Sequence, residues 1–229
     1  MTGDTLHRLS LNAERGFRVQ VDGFRVRIAC LVIGYFIGCI QTAYFVGKAY
    51  HVDISKVGSG NLGTTNTVRA LGAKVGLFTF WCDVAKSLVA FLICKAIFKA
   101  DPIVAGFYGS AGAILGHDFP FFHKFKGGKG IAAMVGMTFA TWPFPALIIF
   151  IIALLILLSG YVSVTSLILS VLIPIFLHIW GYPSEAVWVT IALMCLAIFQ
   201  HRANIKRLLN GTESRFDIIG KLKPKKKER

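Results

Sequence analysis

Fifty-four consecutive residues, Ile131 to Ser184, contain no Asp, Glu, Lys or Arg. A soluble domain carries about 25% charged residues, so a run of this length does not belong in one. A membrane helix needs about 20 apolar residues, at about 1.5 Å rise per residue, and this run holds material for more than one. Trp142-Pro143-Phe144-Pro145 and Ser159-Gly160-Tyr161 divide it into pieces 131–142, 145–158 and 162–180. Ile28 to Gly47, Val75 to Cys94 and Glu185 to Phe199 are further apolar spans. Another runs from Pro102 to Leu115 and, past a Gly116-His117 break, on to Phe122. With 55% hydrophobic and 16% charged residues over 229, the chain reads as an all-α polytopic membrane protein.

Basic residues set the expected topology, because Lys and Arg collect on the cytoplasmic side. The 123–130 loop carries Lys124, Lys126 and Lys129, and segment 201–229 carries ten basic residues. If both are cytoplasmic, an even number of crossings separates them, so 131–158 supplies two crossings or none, and two short helices is the better reading. That gives about seven short transmembrane helices, with the N-terminus outside and the C-terminus cytoplasmic. Seventeen basic residues then fall on the inner face and six on the outer, five of them N-terminal arginines that oppose the assignment. The net charge of +14 would suggest nucleic acid in a polar chain. Here it points to an anionic membrane surface, so membrane lipids are the expected partner and no nucleic acid is.

Three regions follow: an N-terminal extension over 1–27 of no assigned role, a membrane domain over 28–200, and a cytoplasmic segment over 201–229. Residues 1–27 do not read as a signal peptide, and Phe17 to Val21 alternate with a weak strand period. Cys30, Cys39, Cys82, Cys94 and Cys195 all lie in apolar stretches without a CxxC pair, and read as buried packing residues.

The inner-face loops carry the chemistry. Loop one, Gly58-Ser59-Gly60-Asn61-Leu62-Gly63-Thr64-Thr65-Asn66-Thr67-Val68-Arg69, combines glycines, hydroxyls, amides and an arginine. Close backbone approach, an N–H nest and a charge-assisted donor are what a phosphate cradle needs. The same composition also suits a plain polar turn. Loop two, Phe125-Lys126-Gly127-Gly128-Lys129-Gly130, precedes a helix, where amides and the helix dipole favour an anion. It is not a nucleotide P-loop, since Gly130 follows Lys129 and His123 stands where the first glycine belongs. Ser163-Val164-Thr165-Ser166 could meet a ligand, although hydroxyls there also bond the preceding turn. In His201-Arg202-Ala203-Asn204-Ile205-Lys206-Arg207 the His, Asn and second Arg recur every three residues on one helical face. Asp83 and Lys86 can pair inside a span, as a functional site or as a structural pair. There is no metal-ligand spacing, so neither a metal nor a cofactor is expected.

The segments 58–72, 116–132 and 201–213 resemble, in order, the signature segments of the bacterial acyl-phosphate:glycerol-3-phosphate acyltransferases of phospholipid synthesis. The similarity runs from about Ile33 to Phe216. It departs at Gln41, Ser55, Ser87 and Gly160, where a proline, a basic residue, a glycine and an arginine are expected. The resemblance implies transfer of an acyl group from a long-chain acyl phosphate to the 1-hydroxyl of glycerol 3-phosphate. It also implies a bacterial cytoplasmic (inner) membrane location, and an upstream enzyme that forms the acyl phosphate. By the same resemblance Ser59, Asn61, Thr65 and Arg69 would hold phosphate, and Gly127, Gly128 and Lys129 would bind it, with Lys129 foremost. Thr165 and Ser166 would contact the donor head and Asn204 the acceptor. His201 would be a base or an orienting group, or dispensable if the donor phosphate takes the proton, and His117 would brace loop two instead of acting chemically. An acyl-thioester-dependent enzyme would show His, four residues, then Asp, and none of the six histidines does. A phosphate transporter would need chemistry on the outer face as well, where the connections Ala100-Asp101 and Trp180 to Ser184 offer little.

Overall fold

In a bilayer every buried backbone N–H and C=O must find a partner within the chain, which favours helices that close their own bonds. The computed structural model describes residues 23–216, and these are helical with no strand among them. Helix α1 occupies 23–38, and α2 follows over Thr42–Ala49 after a break at 39–41. The remaining helices are α3 (Thr64–Leu71), α4 (Ala73–Ile97), α5 (Pro102–Asp118), α6 (Ile131–Thr141), α7 (Pro143–Leu157), α8 (Val162–Ile179), α9 (Ser184–Gln200) and α10 (Arg202–Leu209). Their ends follow local chemistry. Asp101 accepts from the Val104 N–H and Pro102 opens α5, while Gly72, at φ +89°, turns the chain between α3 and α4.

Lipid offers no hydrophobic drive for helices to associate, so close backbone packing through small residues takes its place. A seam of this kind joins α1 to α5. Gly34 faces Gly109 and Ala113, Gly112 faces Leu31 and Tyr35, and Gly116 faces Tyr35 and Cys39, each so closely that a methyl group would overlap backbone. Residue numbers rise together along the seam, so α1 and α5 run parallel. Helix α4 runs antiparallel to α5, with the Ser110 hydroxyl donating to the Ser87 carbonyl (3.0 Å) and Gly106 against the Phe91 ring. Helix α6 packs on the other side of α4, where Gly136 meets Val84. Phe91, Phe107, Met134, Met137, Ile149 and Ile173 centre the apolar core.

The exterior is apolar too. Leu155, Leu158, Ile179 and Trp188 are each more than 60% exposed, a surface that matches lipid and not water. Residues 23–49, α4 and α8 are each long and apolar enough to cross a membrane, and α9 with α10 forms a fourth candidate bent by 57°. Helices α6 and α7 are shorter, and they fold back on each other at Trp142. Phe139 and Phe150 rings lie 6.0 Å apart, and Val135 lines the same gap as Phe150, as a hairpin requires. Two short helices in 131–158 are therefore what forms.

Several expectations change. Among the described residues helix α1 starts at Gly23, five residues before the apolar span at Ile28. The first span is interrupted at 39–41, and Gln41 sits in that break, fully buried, donating to the carbonyls of Gly38, Gly116 and His117. Gly116 does not break α5, which continues to Asp118, because that glycine serves contact with α1. Cys30, Cys39 and Cys94 are buried as expected, but Cys82 is half-buried and Cys195 exposed. An apolar residue on a membrane helix has no need to face inward. The alternation at Phe17 to Val21 and the tail beyond 216 lie outside the described residues.

Candidate functional site

Loop one is organised by one buried side chain. Asn66 donates from Nδ2 to the carbonyls of Ile54 (3.0 Å) and Val57 (2.9 Å), and its Oδ1 accepts from the Ser59 N–H (3.0 Å). With these three bonds and the left-handed Gly58 and Gly60, the chain turns into the N-terminus of α3. Loop two is anchored to the end of α5. The Gly127 N–H donates to Asp118 O and the Gly128 N–H to His117 O, both at 3.0 Å. Gly130, at φ +73°, then opens α6. The Leu62 N–H donates to Gly127 O (3.3 Å), which brings the starts of α3 and α6 together.

The C-terminal stretch closes the arrangement. His201 marks the bend between α9 and α10, and its Nδ1 lies 2.7 Å from Ala197 O. A carbonyl only accepts, so Nδ1 carries the proton and a neutral ring keeps its lone pair on Nε2. Glu213 accepts from Ser163 Oγ (2.9 Å), Asn204 Nδ2 (2.7 Å) and Arg207 Nε (2.6 Å), and its side chain is 5% exposed. Asn204 in turn accepts from the Lys129 ammonium, and Arg69 Nη2 donates to Ser214 Oγ at 2.6 Å. Residues from α3, loop two, α8 and α10 thus meet around the 212–216 strap.

Electrostatically this cluster is cationic. Burial is the main cause that pulls the Lys129 ammonium down from its ordinary 10.5 to about 8. The charges of Arg207, Arg202 and Arg69 add to the fall and Glu213 opposes it. For Glu213 burial pushes the pKa up, but bonds from Asn204, Arg207 and Ser163 outweigh it, and the net direction is down. A lysine held near its own neutral point gains from any anion that arrives.

The expected residues divide by where they fall. Lys129, Asn204 and Arg69 come together at this cluster, and His201 lies close enough for the charge of Lys129 to act on it. Ser59, Asn61 and Thr65 stay on loop one, joined to loop two through Leu62. The Thr165 hydroxyl donates to the Tyr161 carbonyl and the Ser166 hydroxyl to the Val162 carbonyl, so both turn back on their own helix, and Ser163 is the hydroxyl that reaches across. Gly127 and Gly128 have their N–H groups committed to α5, which leaves loop shape as what they provide in this state. Glu213 and Asn66 were absent from the expected set. Both lay inside the recognised segments, but neither the 50-residue reach to Ser163 nor the 12-residue reach to Ile54 shows in a sequence.

Three comparisons bear on this arrangement. Residues 28–211 match the family model described as glycerol-3-phosphate acyltransferase. A protein of that name from Aquifex aeolicus is 41% identical over 187 residues, covering 81% of this chain and 97% of the relative. One from Thermosipho melanesiensis is 38% identical, covering 84% and 94%. The solved structure of PlsY (YgiH), an integral membrane glycerol 3-phosphate acyltransferase, in its glycerol 3-phosphate form is similar at a TM-score of 0.78 with 38% identity. It covers 83% of this chain and 95% of that one. Its lysophosphatidic acid form gives 0.76 and 37%. The likeness holds in sequence and in fold over the same four fifths of the molecule, and the chain belongs to the glycerol-3-phosphate acyltransferase family.

Proposed function

We propose that this protein acylates glycerol 3-phosphate at its 1-hydroxyl with a long-chain acyl phosphate, releasing lysophosphatidic acid and phosphate. The observation that carries the reading is a sheltered ammonium, Lys129, at the meeting point of two helix starts. The charges of Arg207, Arg202 and Arg69 act on it, with Glu213 as the opposing charge. Such a surplus suits two phosphoryl groups held side by side.

In this reading the α6 start and Lys129 take one phosphate, and Arg69 with the loop-one residues Ser59, Asn61 and Thr65 takes the other. The acceptor oxygen then bonds to the acyl carbon while the bond from that carbon to the phosphate oxygen breaks. Phosphate is a good leaving group, so orientation and preorganised donors carry most of the acceleration, each to about several kcal/mol. The hydroxyl proton goes to His201 Nε2 or to the departing phosphate. Asn204, fixed between Lys129 and Glu213, aligns the ammonium. Thr165 and Ser166 stand at the start of α8, beneath the donor head.

The same reading places seven crossings in a bacterial inner membrane, α1 with α2, then α4 to α9, with the loops and the C-terminus cytoplasmic. Parallel α1 and α5, and the α6–α7 hairpin, support that count. An upstream enzyme would supply the acyl phosphate. The test is purified protein with palmitoyl phosphate and labelled glycerol 3-phosphate. Labelled lysophosphatidate is expected, and product formed only with acyl-CoA would reject the donor.

A further inference from the structure

Beneath loop two lies a buried polar group that the reaction does not use. Asp83, Lys86 and His117 are 1%, 7% and 3% exposed. Lys86 Nζ is 2.9 Å from Asp83 Oδ1, 2.6 Å from His117 Nδ1 and 3.3 Å from the Ile40 carbonyl. An ammonium only donates, so Nδ1 accepts and the proton of the neutral ring sits on Nε2. The backbone of His117 is held as well, its carbonyl accepting from Gln41 Nε2 (3.1 Å) and the Gly128 N–H (3.0 Å). The ring is thereby fixed in tautomer and in place.

What the fixed ring faces is Gly128. A Cβ at 128 would fall 2.6 Å from His117 Cε1 and 2.7 Å from Cδ2, and nearer still to Nε2. Gly128 has no left-handed φ, so alanine there meets no backbone strain. The three atoms nearest to such a Cβ all belong to the imidazole. At Gly127 the obstacle differs, since a Cβ would overlap the His117 carbonyl oxygen and lie 2.7 Å from Pro120 Cδ and 3.0 Å from the Asp118 carbonyl oxygen. The nearest of these, the His117 carbonyl oxygen, is a main-chain atom that no side-chain truncation removes.

We propose that His117, locked by the Lys86–Asp83 pair, is a positioning residue. It sets the path of the 127–130 loop by filling the space that a side chain at 128 would need. The inference rests on reading that loop as the phosphate-holding element. Its signature is suppression: the damage done by Gly128→Ala is relieved by making room at His117, and the damage done by Gly127→Ala is not.

The experiment measures kcat, the KM for each phosphate substrate and the thermal midpoint for Gly128→Ala, Gly127→Ala and His117→Ala. It adds each glycine variant combined with His117→Ala, and Lys129→Ala in parallel. A loop displaced by about 1 Å loses about 100-fold in kcat/KM, the expected result for either glycine variant alone. His117→Ala alone is expected to raise KM about fivefold with little change in kcat, a split that loss of folded protein would not produce. The Gly128→Ala/His117→Ala double should return to within about threefold of His117→Ala, a coupling that contacting residues show. The Gly127→Ala double should stay inactive. If His117→Ala does not fold, His117→Asn, whose oxygen can accept from Lys86 in a smaller side chain, replaces it with the same expectation. A Gly128→Ala double no better than Gly128→Ala overturns the inference, and so does equal rescue at both glycines. Near wild-type turnover in Lys129→Ala would instead remove the loop reading beneath it.

Discussion

The two ends of the bundle each carry a cluster of arginine, carboxylate and hydroxyl, and they are built to opposite specifications. At the end where α1 and α9 begin, Arg27 donates from two nitrogens to both oxygens of Glu185. Tyr108 donates to the same carboxylate at 2.9 Å, and the guanidinium lies 5.8 Å above its ring. One cation meets one anion and the inventory of bonds closes. At the other end, Lys129, Arg69, Arg202 and Arg207 influence one another with Glu213 between them. Glu213 satisfies Asn204, Arg207 and Ser163 and leaves the ammonium partly uncompensated. A balanced cluster is a strut, and a cluster with surplus charge awaits a counter-charge. Charge balance, more than residue type, separates them.

Substitutions can break that contrast. Lys129→Ala should lower kcat/KM at least about 100-fold, the scale for losing a preorganised charge, with the thermal midpoint nearly unchanged. A clear loss of midpoint with retained turnover would make Lys129 a strut as well. Next in size is Glu213→Ala, which frees Ser163, Asn204 and Arg207 together. A loss of about tenfold in activity is expected along with a lower midpoint, since a buried hub costs about 1–3 kcal/mol per orphaned partner.

The pH dependence sharpens the point. Lys129 is charged below about 8 in the free enzyme, and phosphate needs the charged form. So kcat/KM should fall as pH rises through about 8, and Lys129→Arg, if active, should abolish that limb. An unchanged limb would assign it to another group. Smallest of all, Arg27→Ala should lower the midpoint by about 2–4 °C, roughly 1 kcal/mol for a bidentate but half-exposed pair, with both KM values within twofold of wild type.

Much of this was legible in the sequence, for identifiable reasons. The all-helical class and the split of 131–158 into two short helices followed from hydropathy, charge parity and Trp142-Pro143, because apolar runs and proline act on any such chain alike. The three signature segments come together in the fold as the candidate site. Which atoms face it did not follow. Gly127 and Gly128 read as amide donors, yet their amides meet α5, and only the distance to His117 reveals it. Glu213 was absent from the expected set because its partners come from α8 and α10. The break at 39–41 was not read from Gln41 alone, since that side chain holds it mainly through the Gly116 and His117 carbonyls, 75 and 76 residues away. Cys195 was misplaced because hydropathy cannot tell core from lipid.

The glycine seam of α1 and α5 has a mechanical consequence. A single helix meets a change in bilayer thickness by tilting. Two helices in backbone contact tilt as one body, with Gln41 tying α5 and Lys86 tying α4 to the break at 39–41. The loops that hang from them therefore keep their spacing in thin and thick membranes alike.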